Sequence, residues 1–138
     1  STHPRTKNAL EKSGLEFSNV EFLKPFGFHD YINLQLNAKV VLSDSGTITE
    51  ESSILNLKAL NIRDCHERPE GMEEASVIMT GISVNRIIDS IELLEKDNEL
   101  NKSRLSMVND YNVINFSEKL VRVLYSYTDY VNKKIWKK

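Results

Sequence analysis

Two hydrophobic periods alternate along the chain. Short, largely β-branched or apolar runs occur at Val20–Leu23, Lys39–Leu42, Ala59–Ile62 and Val77–Met79. Polar, Gly or Pro residues bound each one, as they bound the buried strands of a parallel sheet. Helical patterns fill the intervals. Thr6–Lys12 is short and polar, His29–Asn37 sets Tyr31, Ile32, Leu34 and Leu36 at mixed spacing, and Thr47–Asn56 follows the run ending at Leu42. Ser83–Asp97 is the clearest amphipathic helix, with Val84, Ile87, Ile88, Ile91 and Leu94 on one face and Asp89, Glu92, Glu95 and Lys96 opposite. Asn98–Tyr111 is polar and breaks the rhythm, which predicts a connection or a short helix with loops. A long helix is predicted over Ser117–Trp136, within a C-terminal helical region 115–138. Leu120, Val123, Leu124, Tyr127, Tyr130, Val131 and Ile135 recur there at three- and four-residue steps. Alternating strands and helices predict an α/β fold with a mostly parallel sheet.

Composition narrows the class. A chain of 138 residues is sized for one domain, spanning 1–138, and is long enough to bury a core. Apolar residues make up 40%, with five Gly and three Pro, which excludes a disordered or collagen-like chain. Eighteen Lys and Arg against 20 Asp and Glu give a net charge of −2. That balance lacks the basic excess of a nucleic-acid binder, so no nucleic-acid partner is expected. The four lysines 133, 134, 137 and 138 suit a helix C-terminus; a basic patch for membrane or RNA is the alternative. The single cysteine, Cys65, excludes an internal disulfide and a cysteine-based zinc cage, and points to the reducing cytoplasm. Apolar runs such as Val40-Val41-Leu42 fall far short of the ~20 residues that cross a bilayer, so no membrane span is expected. Ser1–Leu10 lacks the apolar stretch of a signal peptide. Ser1-Thr2-His3-Pro4 reads like the end of a strand whose beginning is missing, and a fragment is expected.

The most informative stretch is Leu42-Ser43-Asp44-Ser45-Gly46-Thr47-Ile48-Thr49-Glu50-Glu51. A strand ends, a turn of small residues follows and a helix begins. In doubly wound sheets, ligands bind beyond the carboxyl ends of the strands. Gly46 permits close approach or positive φ. Free first-turn amides and the helix dipole suit a phosphate, and the hydroxyls of Ser45 and Thr47 add donors. The alternative is a capping box, Thr47-x-x-Glu50. Glu51, one turn in, can accept both hydroxyls of a ribose, or is simply an acid favoured by the dipole.

A second loop, Arg63-Asp64-Cys65-His66-Glu67-Arg68-Pro69-Glu70-Gly71, falls at the same predicted sheet edge. Two arginines and several acids there form either an ion-pair network or an anion site. Cys65 and His66 adjoin in sequence, and neighbouring side chains diverge, which argues against a nucleophile pair. Neither His-Glu-x-x-His nor Cys-x-x-Cys spacing occurs, so no metal site is expected. His3 and Arg5 sit past a possible strand end, either as groups for a pyrophosphate or as plain surface residues. Phe26-Gly27-Phe28-His29 either borders a flat base or packs in the core.

Thr2-His3-Pro4-Arg5-Thr6, Ser43 through Ser52 and Arg63 through Gly71 together resemble the non-hydrolysing UDP-N-acetylglucosamine 2-epimerases, in family order and spacing. The tail from Ser126 to Trp136 is similar to the end of such enzymes in surface-polysaccharide synthesis. Glu67-Arg68-Pro69-Glu70-Gly71-Met72 looks like the branch that makes UDP-N-acetyl-L-fucosamine by inverting C2 of a UDP-2-acetamido-2,6-dideoxy-L-talose. The resemblance implies a Rossmann-like domain, the C-terminal half of a glycosyltransferase-B-type two-domain fold. By this resemblance His3 takes the place of an active-site histidine near the diphosphate, and Arg5 that of an arginine following it. Ser45, Gly46 and Thr47 take the place of a phosphate-binding Ser-Gly-Gly, and Glu51 that of a ribose-binding glutamate. Arg63, Glu67, Arg68 and Glu70 occupy the neighbouring loop. Two departures stand out: Thr47 replaces the second Gly, and Cys65-His66 replaces the usual Thr-Thr.

The implied ligand is UDP or a UDP-N-acetyl amino sugar, with no cofactor. The implied chemistry is loss of the C2 proton with expulsion of UDP from C1, then re-addition of UDP after protonation of the other face. The family's acid/base carboxylates belong to its N-terminal domain, so a chain without it is expected to bind UDP and not to epimerise. The missing domain, or a partner chain supplying it, is the implied partner, and a homodimer would suit the family. The terminal helix, which crosses to the other domain in such enzymes, is then expected to expose apolar residues. Two other functions fit the same residues: half of a retaining glycosyltransferase, and a non-catalytic UDP-sugar-binding remnant. A general phosphate-binding response domain lacks its acidic cluster here.

Overall fold

The structure is a computed structural model that describes Thr2, residues 4–99 and residues 106–138. Three parallel strands form its sheet in the order β1 (Val41–Ser43), β2 (Ala59–Asn61), β3 (Ile78–Met79). Val41 pairs with Ala59 and Leu42 with Leu60, and Leu60 pairs with Ile78. Helix α3 (Ile48–Leu55) and the short α4 (Pro69–Glu73) lie in the two crossovers. β2 is central and buried throughout, as a both-face-covered strand must be. Ile48, Ala59 and Val77 form the core, with Val41, Leu57 and Met72 packed against them. Asn56 closes α3 in the left-handed conformation, one that asparagine tolerates.

The register puts the carboxyl ends of all three strands on one edge. Ile62 N–H donates to Ser43 O at 3.0 Å and Thr80 N–H donates to Asn61 O at 3.0 Å. The loops after β1 and β2 therefore leave the sheet side by side. Ser52, buried on α3, donates its hydroxyl to Ser76 O at 2.5 Å and to Leu57 O at 3.0 Å, which ties α3 to the approach to β3. Ser53 accepts the amide of buried Val108 at 2.9 Å, so the segment before the 3-10 turn Asn109–Tyr111 lies on α3.

The remaining helices are α1 (Pro4–Ser13), α2 (Phe28–Leu36), α5 (Val84–Glu99) and α6 (Phe116–Tyr130), which runs on as a π-helical turn, Val131–Ile135. On α5, Ile87, Ile91 and Leu94 are half-buried, while Val84 and Ile88 are exposed. The expected α5 stripe is therefore narrower than its sequence suggests, and Glu95 on its edge pairs with Lys39. α6 has no buried residue: Leu120, Val123, Leu124, Tyr127 and Tyr130 are all exposed. The helix forms where its periodicity predicts, and its apolar stripe faces outward.

The strand expected at Val20–Leu23 does not form. A strand is stabilised by a paired neighbour, and this segment receives one backbone hydrogen bond from another segment among the described residues, from Thr2 N–H to Leu23 O at 2.8 Å. Val20, Phe22 and Leu23 stay exposed. No helix among the described residues is long and apolar enough to cross a membrane.

Candidate nucleotide site

The β1–α3 loop is ordered by its own hydroxyls. Ser43 Oγ accepts the Ser45 amide at 3.1 Å, and Ser45 Oγ accepts the Thr47 amide at 3.3 Å. Thr47 Oγ1 donates to Glu51 Oε1 at 2.7 Å, so its lone pairs are left to accept from the Ser45 hydroxyl at 2.9 Å. A relay of Ser45, Thr47 and Glu51 results, in which each bond polarises the next.

The expected capping box is absent. Thr47 is helical in φ and ψ (−71°, −10°), and no side chain caps α3. An N-cap side chain accepts a first-turn amide from a residue with non-helical φ and ψ; Thr47 is helical, its hydroxyl donates to Glu51, and Glu50 turns to Arg68. The first-turn amides of α3, which lack intrahelical acceptors, have no side-chain partner among the described residues and stand at the positive end of the helix dipole.

Arg68 closes this site from the neighbouring loop. Its Nε pairs with Glu50 Oε1 across the crossover, and this bond above all holds the guanidinium above its ordinary pKa. A Cβ on Gly46 would lie 2.6 Å from Arg68 Nη1 and 3.2 Å from Cζ. Gly46 has no positive φ, so it serves as the floor on which the guanidinium rests. A permanent positive charge therefore stands over the glycine at the start of α3.

Buried groups fix Arg68 from behind. His66 Nδ1 accepts the Arg68 amide at 3.0 Å, so the ring proton is on Nε2, which donates to Thr49 Oγ1 at 3.0 Å. Thr49 is fully buried on α3. The histidine thus joins the helix interior to the backbone that carries Arg68. Its neighbour Cys65 is exposed and lies 4.0 Å from Arg63 Nη2, so the two side chains diverge as expected.

α4 supplies the last anchor. Glu70 accepts the Tyr111 hydroxyl at 2.9 Å. Its own backbone amide first, and this hydroxyl second, hold the carboxyl below its ordinary pKa. Burial and the same hydrogen bond push the Tyr111 phenol up. Gly71 beside it has no room for a side chain, since a Cβ would lie 2.1 Å from Thr49 Cγ2.

Glu51 is held on both oxygens, by Thr47 on Oε1 and by Gln35 Nε2 on Oε2 at 2.5 Å. Gln35 comes from α2.

The structure thus brings together Ser45, Gly46, Thr47, Glu51, Arg68 and Glu70. Arg63 and Glu67 pair with each other at 3.6 Å on the exposed part of their loop, so the network alternative for this loop is realised there. Arg5 stands on the first turn of α1 in an exposed position. His3 lies outside the described residues. Core packing fails for Phe28, which is 75% exposed and stacks edge-on with His29 at 5.6 Å. Gln35, Thr49 and Tyr111 were not singled out by sequence, and Glu50 only as a capping-box partner of Thr47. The side-chain partners of each lie at least 16 residues away, beyond the reach of local spacing. Among the described residues, no group of three or more His, Cys, Asp or Glu is placed to hold a metal ion.

Known proteins share this fold. The structure of UDP-N-acetylglucosamine 2-epimerase from Rickettsia bellii superposes with a TM-score of 0.83 at 46% identity, covering 99% of this chain and 38% of that one. The Methanocaldococcus jannaschii UDP-GlcNAc 2-epimerase, solved with UDP-GlcNAc and UDP, has a TM-score of 0.74 at 30% identity over 90% of this chain and 34% of its own. By sequence, the UDP-N-acetylglucosamine 2-epimerase of Methanocaldococcus jannaschii is 32% identical over 129 residues, which cover 90% of this chain. The chain spans about a third (34%) of the length of that relative. The family model described as UDP-N-acetylglucosamine 2-epimerase matches residues 1–125. With fold and sequence in agreement over nearly its whole length, this chain belongs to the UDP-N-acetylglucosamine 2-epimerase family, whose fold is of the glycosyltransferase-B type.

Proposed function

We propose that this chain is the nucleotide-binding, C-terminal part of a UDP-sugar 2-epimerase. The observation that carries the reading is the junction of an uncapped α3 N-terminus, the Arg68 guanidinium over Gly46 and the braced Glu51 carboxylate. The diphosphate sits at the first turn of α3 with the Ser45 and Thr47 hydroxyls, and Arg68 neutralises one face. Glu51 takes the ribose hydroxyls. By the family resemblance, Arg5 and His3 add to the diphosphate site. Arg63, Glu67 and Glu70 shape the neighbouring loop, Glu70 through its bond to Tyr111.

This placement suits expulsion of UDP. As the C1–O bond breaks, the electron pair passes to the diphosphate oxygens, where helix amides and Arg68 stabilise it. The same groups hold UDP in place for re-addition. Removal and return of the C2 proton fall to carboxylates of another domain, which packs along the exposed stripe of α6; a second copy of the chain is the other candidate for that face. The substrate is a UDP-2-acetamido sugar of the fucosamine branch, used in the cytoplasm for capsule or O-antigen precursors.

The test pairs binding with turnover by the 138-residue chain. Binding of UDP without epimerisation of UDP-N-acetylglucosamine or of UDP-2-acetamido-2,6-dideoxy-L-talose is expected, with activity appearing only when an N-terminal domain is added. Turnover by the chain alone would place the proton-transfer groups here instead, and absence of UDP binding would remove the nucleotide reading.

A further inference from the structure

Gln35 is an unusual residue to find in an interior. It is only 4% exposed, and its buried Oε1 has no hydrogen-bond partner among the described residues. A buried orphan acceptor weakens a fold, and such a group in a native structure calls for an explanation. Its other end gives one. Nε2 donates to Glu51 Oε2 at 2.5 Å, while Thr47 donates to Glu51 Oε1 at 2.7 Å. Each carboxylate oxygen is held by one donor, from α2 on one side and from the phosphate loop on the other. Since an oxygen of an ionised carboxylate accepts more than one hydrogen bond, both keep capacity for the hydroxyls of a vicinal diol.

The two grips also remove the rotamer freedom of a long acidic side chain, a cost that a ligand would otherwise meet on binding. Tyr31 lies one turn before Gln35 on α2 and so shares its face. The Gln35 bond sets this face of α2 against the carboxylate, and burial first, with the Glu51 charge second, raises the Tyr31 phenol. Among the described residues α2 carries no cation toward Glu51: its sequence is Phe28-His29-Asp30-Tyr31-Ile32-Asn33-Leu34-Gln35-Leu36, and a neutral amide holds the carboxylate without neutralising it.

We infer that Gln35 is a positioning residue for diol recognition: by fixing Glu51 it makes the site discriminate a ribonucleotide from its 2′-deoxy counterpart. This rests on the reading of Glu51 as the ribose-binding group. The side chain contacts Glu51 and not the ligand, so its loss costs selectivity while the phosphate contribution to affinity remains.

The experiment compares UDP with 2′-deoxyUDP by calorimetry on the full chain, for wild type, Gln35→Met and Glu51→Ala, with a thermal melt of each. Methionine keeps the shape and flexibility of glutamine and removes both the grip and the orphan oxygen. Wild type is expected to prefer UDP by about tenfold or more, the scale of a hydrogen bond to a charged group. Gln35→Met is expected to lose most of that preference, bind 2′-deoxyUDP nearly as wild type does, and melt no lower. Gln35→Leu serves in its place if the methionine variant does not fold. A preference retained in the variant overturns the role of Gln35 and leaves Glu51 standing. Wild type without a preference, or Glu51→Ala with an intact one, overturns the ribose reading and the inference with it. Equal loss of affinity for both ligands in Gln35→Met reduces Gln35 to a packing role.

Discussion

Gly46→Ala separates the binding site from the fold. The backbone at Gly46 is not in the left-handed region, so alanine is conformationally allowed there. The perturbation is contact. A Cβ would fall 2.6 Å from Arg68 Nη1, whereas carbon and nitrogen rest at roughly 3.5 Å, so the guanidinium must retreat by about 0.9 Å. That displacement breaks its bond to Glu50, whose side chain is 31% exposed against 26% for Arg68. The pair is half-buried, which sets its contribution at the upper end of the roughly 0.2–1 kcal/mol measured for exposed pairs. Restricting the unfolded chain returns about 0.4–1 kcal/mol. The two nearly cancel, and at about 3–5 °C per kcal/mol for a domain of this size, the melting temperature moves by only a few degrees. Affinity behaves differently. A charged hydrogen bond to phosphate contributes about 1.5–3 kcal/mol, so displacing Arg68 weakens UDP binding by about tenfold or more. Melting curves and UDP titration of the same preparation check both numbers. Unchanged affinity would show that Arg68 does not meet the phosphate. A melting temperature lower by more than about 10 °C would show that Gly46 is kept for folding instead.

Two further predictions concern the scaffold. Gly71→Ala places a Cβ 2.1 Å from the fully buried Thr49; overpacking of about 1–3 kcal/mol exceeds the helix-propensity gain of about 1 kcal/mol, so thermal melts should fall by several degrees, and an equal or higher melting point would contradict the packing. Tyr111→Phe removes a hydroxyl that lowers the Glu70 pKa. A depressed carboxyl stabilises the fold above its unfolded pKa and loses that effect as pH falls through its folded value. The stability gap between wild type and Tyr111→Phe should therefore narrow from about pH 6 to about pH 3, whereas a constant gap would show that Glu70 is not involved.

The sequence made the sheet legible because its strands are short apolar runs set between helical intervals. Three of the four runs became strands within a residue or two of their expected bounds. Val20–Leu23 shows the limit, since pairing depends on a neighbour that no local pattern specifies. α4 was missed for another reason: Pro69–Glu73 has five residues, too few to show a period, although proline at the first helical position was a readable start signal. The β1–α3 turn was legible from Gly46 between a strand and a helix, yet its hydrogen bonds were not. Thr47-x-x-Glu50 has capping-box spacing, but the rotation of α3 presents Glu50 to Arg68 and Glu51 to Thr47. Cys65-His66, opaque as sequence, becomes intelligible once Thr49 and the Arg68 amide are seen on either side of the imidazole. Long-range pairs such as Gln35 with Glu51 depend on where two helices cross, which is a property of the packed core.

The central claim is that phosphate and ribose subsites are built into this chain. Calorimetric titration with UDP, with uridine, and with UDP on the Glu51→Ala variant tests it most directly. The account predicts that UDP binds, that uridine binds far more weakly for want of the α3 and Arg68 contacts, and that the variant loses about tenfold or more. Equal binding of UDP and uridine, or an unaffected variant, would contradict it.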